Sequence, residues 1–184
     1  MGTTHNFDNP AASAVASGDT FPMIDATTGR GKTATVAMAI SAVRAVVATA
    51  ATTLTVTQAL HGNRTILLSN ATPIIVTLPQ ATGTGTKYSF VIDVAATATE
   101  STIKVANATD VMRGYVFAVT TSTDNAEGFK TSASSDSIQL NGTTKGGVAG
   151  DVIEITDVKT GIFSVMAFTA PTGTEVTPFS AAVS

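Results

Sequence analysis

The feature that most constrains this chain is a period-two alternation of apolar and polar residues, which sets in near Thr52 and persists to about Ala170. Successive side chains of a strand point to opposite faces, so such alternation predicts half-buried β-strands. It is plainest in Tyr88–Val94, where Tyr88, Phe90, Ile92 and Val94 share a face while Ser89 and Asp93 point away. Ile74, Val76 and Leu78 repeat the pattern, as does Thr53-Leu-Thr-Val-Thr. Further strands are expected at Arg64–Ser69, Thr102–Val105, Val111–Val119, Ser137–Leu140, Asp151–Val158 and Ile162–Thr169. Between them lie His61-Gly-Asn, Pro79-Gln-Ala-Thr-Gly, Asn141-Gly, Gly146-Gly and Lys159-Thr-Gly, all turn chemistry. The expectation is an all-β fold: a single antiparallel β-sandwich or barrel-like domain of about nine short strands. The last two strands form the clearest hairpin, with Ile153 and Ile155 facing Phe163 and Val165 across the Lys159–Gly161 turn.

Composition supports this design. The chain holds 34 Thr, 29 Ala, 15 Gly and 14 Ser in 184 residues. The branched Cβ of Thr favours extended backbone while its hydroxyl tolerates water, so a Thr-rich face resists aggregation without charge. Only 12% of residues are charged, yet 43% are apolar, enough burial to exclude a disordered polyelectrolyte. The longest weakly polar stretch, Thr33 to Ala51, is broken by Ser41, Arg44 and Thr49, so no membrane span is expected. A net charge of −3 with no Lys/Arg run gives no basis for nucleic-acid binding. Zero cysteines exclude a disulfide framework, a thiolate metal site and a cysteine nucleophile. Met1 to Pro10 has neither the basic nor the apolar region of a secretory signal, and no Ser or Thr stands at position six for myristoylation of Gly2.

Ahead of the alternating region the chain changes character. Residues 1–32 read as an extended N-terminal arm, polar and small apart from Phe7, Phe21, Pro22, Met23 and Ile24. Phe7, Phe21, Pro22 and Ile24 are candidates for anchoring that arm to a partner. Residues 33–49 are expected to form one short amphipathic helix and a linker, because Val36, Ile40, Val43 and Val47 recur at helical spacing. A narrow stripe on a short helix needs a docking surface, which makes these four residues contact candidates as well. Residues 50–170 are assigned to the β-domain and 171–184 to a C-terminal arm. No repeat of fixed period is present, so a solenoid is not expected.

Motifs with chemical meaning are few. Ala26-Thr-Thr-Gly-Arg-Gly-Lys-Thr33 fits the relaxed P-loop pattern, in which backbone N–H groups at a helix start wrap phosphate, Lys neutralises charge and Thr ligands magnesium. That fold requires parallel βαβ units with buried aliphatic strands, and nothing after Val47 reads as a helix, so a turn is expected and nucleotide hydrolysis is only a remote alternative. His5 and His61 lack a second His or clustered carboxylates nearby, and His61 reads as a solvated turn residue. Asp110, Asp124, Asp136, Asp151 and Asp157 are scattered at loops and strand ends, where aspartates mostly cap turns. Asn63, Asn70, Asn107 and Asn141 stand in glycosylation sequons, as chance supplies in a chain rich in Thr and Ala. No catalytic residue, metal or cofactor is assigned.

Three passages resemble bacteriophage virion proteins. Phe21-Pro-Met-Ile-Asp-Ala-Thr-Thr-Gly-Arg-Gly-Lys-Thr-Ala-Thr-Val36 is similar to a segment that opens many head-fibre and tail-associated proteins. Leu54-Thr-Val-Thr, Gly62-Asn-Arg-Thr-Ile-Leu-Leu-Ser, Ile75-Val-Thr-Leu-Pro79 and Gly83-Thr-Gly-Thr-Lys-Tyr-Ser-Phe90 resemble the β-rich domain of capsid decoration and fibre proteins. Gly150-Asp-Val-Ile-Glu-Ile-Thr-Asp and Gly161-Ile-Phe-Ser-Val165 are similar to the closing hairpin of the same proteins. The resemblance implies a non-enzymatic virion component on the capsid surface, a cement or head-fibre protein. Its implied partners are the major capsid protein and sister subunits of a homotrimer, with neither nucleic acid nor membrane. A tail-fibre or receptor- and glycan-binding module is the alternative, disfavoured by the absence of Trp and the presence of only two Tyr.

Overall fold

A computed structural model describes residues 20–24, 31–35, 45–97, 99–120 and 126–183. The chain divides into two compact units, Met1–Ala45 and Val46–Ser184. In the first, β1 (Thr20–Ile24) and β2 (Gly31–Thr35) form an antiparallel hairpin, with Thr20 opposite Thr35 and Ile24 opposite Gly31. The helix expected over 33–49 is therefore replaced by strand at its start, and also at its end, where β3 (Val47–Thr49) begins. Thr33 and Thr35 are β-branched and oppose extended partners, so pairing overrides the Ala-rich helical pattern there. Residues 36–44, with Val36, Ile40 and Val43, lie outside the described residues.

The second unit is mostly β and consists of two mixed sheets. Its strands are β3, β4 (Thr53–Thr55), β5 (Arg64–Ser69), β6 (Ile75–Thr77), β7 (Lys87–Val94), β8 (Ser101–Lys104), β9 (Val111–Val119), β10 (Ala126–Lys130), β11 (Ser137–Leu140), β12 (Val152–Lys159), β13 (Ile162–Thr169) and β14 (Phe179–Ser180). The larger sheet runs β10-β9-β13-β12-β7-β5-β3 and the smaller β14-β11-β8-β6-β4. This corrects the expectation of one antiparallel array of about nine strands: among the described residues twelve strands pair both ways. β9 with β13, β7 with β5, and β5 with β3 are parallel in the larger sheet, as are β8 with β6 and β6 with β4 in the smaller. Alternation specifies which side chains face inward but is blind to the direction of the neighbouring strand.

From Val47 to Lys104 successive strands alternate between the sheets, so the chain winds as a flattened coil that adds one strand to each sheet per turn. Parallel neighbours need a crossover, and here a strand of the opposite sheet supplies it where a helix usually would. The turns differ in length, which is why no fixed repeat is visible in the sequence. One short helix, α1 (Gln58–His61), sits between β4 and β5, capped by Thr57, whose hydroxyl accepts the Leu60 N–H at 3.4 Å.

Among the described residues one apolar cluster joins the sheets. Across the larger one, Val47, Ile66, Phe90, Ile153, Ala167, Val116 and Phe129 occupy one register row. Leu54, Val76, Ile103, Ile138 and Phe179 form the corresponding row of the smaller. The predicted hairpin is β12–β13, with Ile153 opposite Ala167 and Ile155 opposite Val165. Residues 171–183, expected as part of a second arm, instead return to the smaller sheet. There β14 pairs with β11, and the Asp136 carboxylate accepts the N–H groups of Ala182 (2.8 Å) and Val183 (3.1 Å).

Candidate interaction surface

The inward positions of β9 and β13 are filled by Met112, Val116, Ala118, Phe163, Val165 and Ala167. Their alternate positions carry Tyr115, Phe117 and Val119 on β9 and Met166 and Phe168 on β13, so these strands are apolar on both faces. All five outward side chains stand open to solvent at 44–55% exposure. Phe117 and Phe168 are register partners and stack, with ring centroids 5.7 Å apart and planes at 19°. On the same face the half-buried Val152, Val91 and Leu67 continue the row across β12, β7 and β5. Contiguous exposed apolar surface of this kind marks an interaction site, whereas a single exposed side chain does not.

Two cations border the strip. Arg113 and Lys130, with Tyr115, Ser164 and Met166, line a shallow depression of about 580 Å³. The Arg113 guanidinium donates to the Ser132 carbonyl at 3.3 Å, while Lys130 has no ion-pair partner among the described residues. On the far side, Lys87 Nζ and Glu154 Oε2 are 3.0 Å apart in an exposed pair. Gly114 sets the floor: a Cβ there would lie 1.8 Å from the Val165 carbonyl oxygen, so only glycine lets β9 pass this close to β13.

The loop aspartates are long-range clamps. Buried Asp157 accepts backbone N–H groups from Gly83 (2.7 Å), Thr82 (3.1 Å) and Thr84 (3.1 Å) and the Thr84 hydroxyl (2.9 Å). Burial alone would push its carboxyl up, but these donors outweigh burial and hold it below the usual carboxylate range. Asp151 accepts from Gly147 (2.7 Å), Val148 (3.2 Å) and Ala170 (2.9 Å), yet burial dominates and raises its carboxyl. The Tyr88 hydroxyl is also raised, first by burial and then by the nearby Asp157 charge. Asp110 accepts the Ala81 N–H at 2.9 Å. All three aspartates thus tie together segments far apart in the chain, which local turn capping does not describe; Asp110 and Asp151 also bind close neighbours. Asp124 lies outside the described residues.

The residues singled out in the sequence are not brought together by the described structure. Phe21, Pro22 and Ile24 lie in β1, opposite Ala34, Thr33 and Gly31, while Phe7, Val36, Ile40 and Val43 fall outside the described residues. Val47 lies in β3, half-buried and paired with Ile66. Gly31-Lys-Thr33 lies in strand β2, with Lys32 opposite Met23, so the helix start that a P-loop uses is not formed there. His61 is buried in α1 rather than solvated, and its Nδ1 accepts the Thr57 N–H at 3.0 Å. The sequon residues Asn70, Asn107 and Asn141 each accept an N–H from two positions ahead, at Thr72, Thr109 and Thr143, and so close Asx turns. Among the described residues no group of three or more His, Cys, Asp or Glu could hold a metal ion, and no helix is long and apolar enough to cross a membrane.

No family model, curated protein or solved structure matches the chain. The outer face of the larger sheet was not anticipated from the sequence. Its signal was the loss of alternation in Tyr115–Val119 and Val165–Phe168, where apolar residues run on without a polar partner position.

Proposed function

We propose that this chain is a non-enzymatic bacteriophage virion component that decorates or cements the capsid surface. In this reading the N-terminal unit makes shell or inter-subunit contacts, and the β-domain forms a homotrimer. The observation that carries it is the outer face of the larger sheet, an aromatic-rich apolar strip on a domain of low charge. Such a face serves association, and the resemblance of three passages to head-fibre and decoration proteins supplies the setting. The partner is then the major capsid protein and the location the virion. Purified capsids should capture the full chain, and deletion of residues 1–24 should abolish capture; undiminished binding by the truncated protein removes the attachment role.

A second reading, a tail-fibre or glycan-binding module, draws on the depression where Arg113 and Lys130 flank Tyr115. A cation pair beside an aromatic ring suits an acidic sugar. Binding in a glycan screen, lost on Tyr115→Ala, would favour it over capsid decoration.

A further inference from the structure

We infer that a second copy of this chain covers the outer face of the larger sheet, with the β10 side of one face against the β12 side of the next. The inference deepens the reading of this face as a contact surface and rests on it. Two observations name a sister subunit as the occupant: the area of the strip and the order of charges along it.

At their observed exposures Tyr115, Phe117, Val119, Met166 and Phe168 leave about 450 Å² of apolar surface open. A stable interface buries about 800 Å² per partner, somewhat over half of it apolar. The strip matches the size of that apolar core, and Arg113, Lys130 and the Lys87–Glu154 pair border it as polar groups.

The order of side chains along one register row is Lys130, Tyr115, Met166, Glu154, contributed by β10, β9, β13 and β12. With neighbouring strands about 4.8 Å apart, Lys130 and Glu154 of one chain are separated by about 14 Å, too far to pair. Lys130 has no ionic partner among the described residues, and Lys87 engages only one of the two Glu154 oxygens. When copies are related by a symmetry axis running along the strands, the β10 side of one face meets the β12 side of its neighbour. That places Lys130 against the Glu154 carboxylate of the next copy, Tyr115 against Met166, and Phe117 against Phe168. The row is thus self-complementary in charge and in shape, for a two-fold or a three-fold ring alike.

The test is sedimentation equilibrium of the full chain from nanomolar to micromolar concentration. The expected result is a closed oligomer that Lys130→Glu and Glu154→Lys each weaken at least tenfold, and that the double charge swap restores. Phe168→Ser should weaken it by a similar factor while the circular dichroism spectrum stays unchanged, since the side chain is exposed. A benzoylphenylalanine placed at Phe117 should cross-link mixed isotope-labelled and unlabelled chains. Monomer throughout the range overturns the inference. So does a photo-cross-link found only within one chain, to residues 1–45, which would assign the face to the chain's own N-terminal unit. Capsid capture is scored separately: a monomer that still coats capsids overturns the sister-subunit interface and leaves the decoration reading standing.

Discussion

Replacing Asp157 by alanine removes the clamp between β12 and the loop that leads into β7. Its carboxylate receives the N–H groups of Gly83 at 2.7 Å and of Thr82 and Thr84 at 3.1 Å, together with the Thr84 hydroxyl at 2.9 Å. A hydrogen bond to a charged group contributes about 1.5–3 kcal/mol net, but these four share two oxygens and are not additive. Thr82, Gly83 and Thr84 are exposed, so water replaces part of what is lost. The balance is a cost of about 3 kcal/mol at pH 7, or a fall of about 10 °C in Tm for a unit of this size. The donors hold the native carboxyl below its ordinary value. Its contribution is therefore fully present above the unfolded-state pKa and is lost as pH falls through the lower native one. Urea denaturation of wild type and Asp157→Ala should show the full difference at pH 7 and a shrinking one between pH 4 and pH 2. A difference under about 1 kcal/mol at pH 7, or one that does not change with pH, would refute the clamp.

Other substitutions test other parts of the fold. Asp151→Asn should have the opposite pH signature: burial raises the native carboxyl, so wild type loses stability as pH rises through the unfolded-state pKa toward the raised native one, a slope that stability curves of the variant should lack. Phe90→Ala, at a fully buried position in the middle of the larger sheet, should cost about 3–5 kcal/mol in chemical denaturation. Gly114→Ala should cost at least about 3 kcal/mol or prevent soluble expression, because the Val165 carbonyl occupies the space of the new methyl group. Full stability of that variant would contradict the close approach of β9 and β13.

Much of the β-domain was legible because alternation reports burial directly. Arg64–Ser69, Val111–Val119, Ser137–Leu140 and Ile162–Thr169 begin and end where the pattern places them. Strand direction was not legible: the inward set Ile66, Phe90 and Ile153 is the same whether β5 runs with β7 or against it. Short elements escaped for a different reason. α1 and β14 are held by particular groups, the Thr57 cap and the Asp136 carboxylate, rather than by any periodic pattern. The outer face was not legible because Tyr115, Phe117 and Phe168 stand in unbroken apolar runs, which suit a strand but do not say that its second face is open to solvent. Similarly, the aspartates were visible as residues, but their partners lie up to 75 positions away, beyond the reach of a turn rule.

The winding of residues 47–104 between the sheets bears on the order in which this protein is synthesised. Neither sheet is a contiguous stretch of chain, so neither can be completed while the other waits. When β7 and β8 emerge, each is the open edge of a half-built sheet. The strand that closes β7 is residues 152–159, and the one that closes β8 is residues 137–140. During that interval two unpaired edges are exposed on a chain with few charges to keep neighbours apart, a period of aggregation risk on the ribosome. Once closed, the same dependence works in favour of the product. Unfolding must break pairings between distant parts of the chain in both sheets together, which makes for slow opening and a long-lived folded state.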